Sequence, residues 1–216
     1  MEQNNELKKL INQNEKILYE GKPDKKCFVF ESILNPLLPF ALLWAFIDFA
    51  MLGATLQQAS NEQNAIIVIP FLILHMMPVW IYLGGVALTF SRYRNTYYIV
   101  TDKAIYASEG VFNKLYKTKP FAELSHVDLH RGIFDQMFNV GDVITTSNQT
   151  TTMPSSSMYG NRNRSYSGIT LNSISNYAEV YNIISKLQQD IYTDTMYPND
   201  LRPKENHGYN TEYKGM

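Results

Sequence analysis

Cysteine is nearly missing from this chain: Cys27 is the only one in 216 residues. One cysteine makes no internal disulfide and no thiolate-rich zinc site. Net charge is nearly missing too, with 19 basic residues against 20 acidic ones. From Ser91 onward, 13 basic and 12 acidic residues leave a net charge of +1. A nucleic-acid binder needs a marked basic excess, so nucleic acid is not expected as a partner. There is no glycine-rich phosphate loop and no nucleophile-elbow motif. His126 and His130 are four apart, but on a strand that spacing leaves them on one face and far from each other. They read as surface residues. No enzyme, no cofactor and no metal are expected from these features.

Long apolar runs, by contrast, are present twice. Ile33 to Leu56 and Ala65 to Phe90 are each long enough to cross a bilayer, for which roughly 20 apolar residues in a helix suffice. The gap, QQASNEQN, holds no Lys or Arg. Two spans so close in sequence fold back as a hairpin, here over residues 33–90, and leave both chain ends on one side. Lys22, Lys25 and Lys26 precede the first run, and Arg92 and Arg94 follow the second. Lys and Arg accumulate in cytoplasmic flanks, so both termini are expected in the cytoplasm.

The first run carries Asp48 about two-thirds of the way across, and the second carries His75 near its middle. Counted from the facing ends of the runs, their depths differ by about 5 Å, one helical turn. One reading pairs them as a proton or ion relay. The other leaves Asp48 neutral or snorkelling, with His75 bonded to a carbonyl freed by Pro70 or Pro78.

Outside the runs the periodicity changes. Glu2 to Gly21 has Leu7, Leu10, Ile11, Ile17 and Leu18 at helical spacing, and predicts an amphipathic helix within an N-terminal region 1–32. Residues 91–193 break into short alternating segments: NTYYIVT, KAIYASEG, NKLYKTKPF, AELSHVDLHRG, DVITTS and SGITLNSI, each read as a strand. GIFDQMFNVG reads as a helical turn closed by Gly141. Lys114, Lys117 and Lys119 read as one basic strand face able to meet an anionic membrane. Residues 149–166 are polar and low in complexity, and are expected to form a disordered loop. NYAEVYNIISKLQQDIYTD predicts a helix begun by Asn176 with Glu179 three residues on. Its apolar face runs through Tyr177, Val180, Tyr181, Ile184, Leu187 and Ile191. Residues 194–216 read as a disordered polar tail.

About seven strands closed by one C-terminal amphipathic helix is the order of a pleckstrin-homology-like (PH-like) barrel. The stretches YYIVTDKAIYASEGVFNK, FAELSHVDLHRGIFDQMFNVGDVITT and ITLNSISNYAEVYNIISKL carry a closer likeness. Tyr98, Thr101, Asp102, Gly110 and the turn Val140–Gly141–Asp142 fall at pattern positions. On these residues the chain resembles the bacterial membrane-anchored PH-like domain family of the YdbS type, from about Asn35 to Leu187. Lys103 replaces the usual Arg, and Asn139 or Val140 the usual first glycine of the late turn. The resemblance implies a transmembrane helical hairpin plus a mainly-β PH-like barrel in the bacterial inner membrane. It implies no biochemical activity. The expected function is a non-enzymatic interaction or assembly module facing the cytoplasm, with the lipid bilayer and a protein partner or second copy as its contacts. The alternative is a small transport or ion-conducting subunit using Asp48 and His75.

Overall fold

The computed structural model describes residues 6–58, 70–147 and 168–196. The chain divides into two compact units: Met1–Phe28 with Arg92–Met216, and Val29–Ser91.

The first unit holds two antiparallel sheets. The first sheet has the order β1 (Ile17–Gly21), β2 (Tyr97–Thr101), β3 (Ala104–Glu109), β4 (Leu115–Pro120). A 3-10 turn at Phe121–Glu123 leads to the second sheet: β5 (Leu124–His130), β6 (Gly141–Ser147), β7 (Thr170–Ile174). Every residue of β2 is buried, so both faces of this strand are covered. The period of two assigns the faces. Tyr98, Val100, Ile105 and Ala107 face the main core with Phe121, Val143, Leu171 and Ile174. Tyr97, Ile99, Ala104 and Tyr106 form a second cluster with Leu7.

That second cluster corrects the reading of the N-terminus. The segment expected as a helix over 2–21 is helical only at residues 6–8 among those described, and Ile17–Gly21 is a strand paired with β2. Adjacent Ile17 and Leu18 do not build a stable helical face, and both stay partly exposed. Pairing β1 instead covers an edge of β2, which an exposed strand would leave as a row of unpaired backbone groups. Leu7, fully buried, plugs the outer face. This segment therefore belongs to the first unit and supplies the seventh strand.

Two helices of this unit flank the sheets. A short one, Ile133–Phe138, links β5 to β6. Its left-handed closing residue is Asn139 (φ 53°), not Gly141, which already begins β6. The last helix, Tyr177–Met196, starts where Asn176 O accepts from Val180 N at 3.0 Å, the N-cap position expected. It presses Val180 and Ile184 into the core, with Tyr177, Tyr181, Leu187 and Ile191 partly buried around them. The loop at 149–166 and the tail from 197 lie outside the described residues.

Gly110 closes β3 at φ 138°, and a Cβ there would run into the backbone carbonyl of Asn113. Its own carbonyl and that of Val111 each accept from Asn95 Nδ2 at 3.2 Å. We expect Gly110→Ala to cost on the order of 1–3 kcal/mol of strain, seen as a lowered melting temperature of the detergent-solubilised chain. An unchanged melting temperature would contradict the strained turn.

In the second unit the chain is helical from Leu37 to Gln58 and again at 70–75. A further helix, Met77–Asn95, begins there and ends in the first unit, and Lys25–Ile33 likewise crosses the boundary from the other side. In chain order the helices are α1 (Lys25–Ile33), α2 (Leu37–Gln58), α3 (Met77–Asn95), α4 (Ile133–Phe138) and α5 (Tyr177–Met196). Among the described residues one window, Leu37–Ala54, is long and apolar enough to cross a membrane. Residues 59–69, which include part of the expected gap and the start of the second expected span, are outside the described set.

Candidate functional site

The second unit contains a buried polar pair. Asp48 on α2 is 3% exposed, and its Oδ1 lies 2.5 Å from His75 Nδ1. The backbone explains why His75 is presented there. Pro78 has no N–H to give, and the helix tightens at Met76, where Val79 N donates to Met76 O at 2.9 Å. The carbonyl of His75 is thereby left for Trp44 Nε1, which donates to it at 2.8 Å. The rings of Trp44 and Phe71 stack on the imidazole at 5.0 and 5.5 Å. The freed carbonyl is thus the histidine's own, taken by Trp44, while the His75 side chain turns to Asp48. Asp48 Oδ2 is buried with no hydrogen-bond partner among the described residues. Elsewhere in this unit Ser32 Oγ and Thr89 Oγ1 stand 2.5 Å apart, and Tyr82 donates to Ile33 O at 2.8 Å. Those links were not foreseen, because hydroxyls carry little signal in an apolar run.

The basic residues that flank the apolar runs, Lys22, Lys25, Lys26, Arg92 and Arg94, are all exposed. The chain leaves and re-enters the first unit side by side: the Phe28 and Tyr93 rings are 6.0 Å apart, and Lys22 lies 5.9 Å over Tyr93. Asp24 fixes the exit. Its Oδ1 accepts from Cys27 N at 2.9 Å, and its own N–H donates to Ser173 O at 2.7 Å.

The basic face expected on β4 is not formed. Lys114 precedes the strand and, being even-numbered, lies on the side of Tyr116, opposite Lys117 and Lys119. Lys114 and Tyr116 both bond Glu6, and the two ammonium groups on the other side pair with Glu109 at 2.8 Å and Glu123 at 3.3 Å. Glu6 is held below the usual carboxylate range first by its bond to Lys114. With each lysine balanced by a glutamate, this strand offers an anionic surface little uncompensated charge.

The pattern positions serve the fold. Tyr98 is fully buried, which raises its pKa, and its hydroxyl accepts from Asn172 N at 3.1 Å. Thr101 Oγ1 organises the β2–β3 turn, accepting from Ala104 N at 3.0 Å and donating to Glu15 Oε2 at 2.8 Å. Asp102 Oδ1 accepts from Lys16 N at 3.0 Å, which holds the N-terminal segment to the same turn. Glu15 also takes the hydroxyl of Tyr106, whose pKa burial, first, and this carboxylate, second, push up to about 12. Gly141 leaves room for Tyr177: an added Cβ would stand 2.9 Å from its ring. Arg131 covers the other face of that region, 4.4 Å from the Tyr177 centroid. None of these residues was placed in a reactive arrangement by the sequence, and the structure gives each a structural partner.

Two small antiparallel sheets with a C-terminal helix fit a PH-like fold. The chain matches the Bacterial PH domain family over residues 37–188, more than half its length, and it belongs to that family. The matched span begins after β1, so the first strand comes from upstream of it. Comparison with curated proteins and with solved structures finds no match.

Proposed function

We propose that this chain is a two-span membrane protein of the YdbS type that presents its PH domain to the bacterial cytoplasm as a non-enzymatic interaction or assembly module. The observation that carries the membrane reading is exposure. The apolar window Leu37–Ala54 is only 11% buried, where the core helix of a soluble protein would be mostly covered. Leu42, Phe46 and Phe49 are 61%, 72% and 64% exposed, and on the helical residues after the gap Leu74 is 73% exposed. Contiguous apolar surface of this kind is tolerated by lipid and not by water. The adjoining exit and entry at Phe28 and Tyr93 support a hairpin with both ends on one side. The basic flanks support a cytoplasmic side.

A second reading, a small transport or ion-conducting subunit, draws on the Asp48–His75 contact and on the unpartnered Asp48 Oδ2. For the module reading, the partner is a protein or a second copy of the chain.

Cys27 is fully buried, so it is a poor reporter of sidedness. In a Cys27→Ser background, a cysteine at Ser60 is expected to react with an impermeant thiol reagent in intact cells. One at exposed Lys26 is expected to react only after lysis. The reverse pattern would invert the topology, and extraction of the chain by alkaline carbonate would remove the membrane reading altogether.

A further inference from the structure

Three metal-ligating side chains from separate elements converge at one end of the second sheet. His130 ends β5, Asp142 is the second residue of β6, and the register sets them directly opposite each other. The intervening α4 folds Asp135 back over this pair, held by Gly132 N, which donates to Asp135 Oδ2 at 2.8 Å. One ligand atom from each of the three lies within 4.8 Å of the other two. Cys27, the only thiol in the chain, points at the same place, with Sγ 3.5 Å from Asp135 Oδ1.

The charges here are poorly balanced. Asp135 is buried and Asp142 is half-buried, so two carboxylates share one small, partly covered volume. The His130 imidazole Nδ1 is 3.8 Å from Asp142 Oδ2, and its ring is exposed. Arg131, next in the chain, is turned to Val140 O at 2.9 Å and to Tyr177. Backbone bonds do not exhaust the carboxylates. Asp142 Oδ1 takes Ser173 N at 2.7 Å, yet an ionised carboxylate offers about four acceptor sites. Gly132 keeps the approach open, since even a Cβ there would stand 3.4 Å from Asp135 Oδ2 and 3.8 Å from His130 Cε1.

We propose that His130, Asp135 and Asp142 bind a divalent first-row transition cation, with the Cys27 thiol as the adjacent fourth donor. Imidazole, carboxylate and thiolate together suit a zinc-class ion rather than calcium or magnesium, which take oxygen ligands. Bonds of about 2.0–2.3 Å require His130, Asp135 and Asp142 to draw in by on the order of 1 Å, within reach of rotation about the Asp142 and His130 side-chain bonds; Cys27 Sγ lies outside that trio, beside Asp135, and has further to move. Such an ion would join β5, α4, β6 and the start of α1, and so fasten the chain's exit at Asp24–Cys27 to the domain core. The proposal is independent of the membrane reading.

The test uses the full chain in detergent, stripped with a chelator and titrated with Co2+. One equivalent is expected to bind with the visible absorption of a low-coordinate site, plus a sulfur-to-cobalt charge-transfer band that Cys27→Ser abolishes. His130→Gln and Asp142→Asn are expected to weaken binding at least tenfold, and Zn2+ to raise the melting temperature of the unmodified chain but not of these variants. Asp142→Asn retains an oxygen for Ser173 N–H, and His130 is exposed, so both are expected to fold. Absence of binding in the micromolar range, or binding that both variants keep, overturns the site. A spectrum without the charge-transfer band removes Cys27 from it.

Discussion

Ile184→Asp is expected to unfold the PH domain. Ile184 is fully buried on α5, among core residues drawn from both sheets. Truncating such a residue costs about 2–5 kcal/mol. A carboxylate in its place must in addition be desolvated or protonated, which brings the loss above about 4 kcal/mol. Domains of this size are stable by about 5–15 kcal/mol in all. Circular dichroism melting and limited proteolysis of the detergent-solubilised chain would show the loss. Leu187→Asp, on the same face but only partly buried, is expected to cost roughly half as much. Equal effects at the two positions would mean that α5 meets the sheets through a different face.

That face was legible in the sequence because a capped helix with apolar residues at helical spacing has one way to bury them. Strands β2 to β7 were legible as short alternating segments separated by turn residues; their pairing was not called. What failed was local reading of long-range pairing. Ile17 and Leu18 fit a helical wheel taken alone, but the open edge of β2, some eighty residues away, recruits them as a strand. Glu15, in the same segment, accepts from Thr101 and Tyr106 and so ties it to the β2–β3 turn. Strand parity alone would have separated Lys114 from Lys117 and Lys119.

His130 and Asp142 were hidden differently. Eleven residues, the helical turn among them, lie between them, and only the β5–β6 register puts them face to face. Histidines four apart were the visible signal and the uninformative one. The depths of Asp48 and His75, one helical turn apart, brought the pair within reach as one of two readings, and the contact itself is seen only in the structure. The second apolar run was readable as composition, but of the two only α2 meets the length and apolarity of a span among the described residues.

The Asp48–His75 pair carries the last expectation, which turns on asymmetry. His75→Ala should destabilise the helical unit by about 3 kcal/mol or more, because it leaves Asp48 buried with neither oxygen bonded. Asp48→Ala should cost less, since His75 is partly exposed and still packed between Trp44 and Phe71. The double change Asp48→Leu with His75→Phe should recover most of the loss. Replacing both members of a buried polar pair by apolar groups of similar size is often neutral or stabilising, whereas removing one is not. Melting of all four proteins in one detergent compares these losses. Function then separates the two proposed readings of the helical unit. A module that acts through its PH domain keeps partner capture in mild detergent when the double variant is folded. A transport subunit loses flux in that same folded protein, because no ionisable group remains at the pair. Retained melting with lost partner capture would move the working part of the molecule from the β-sheets to the helices.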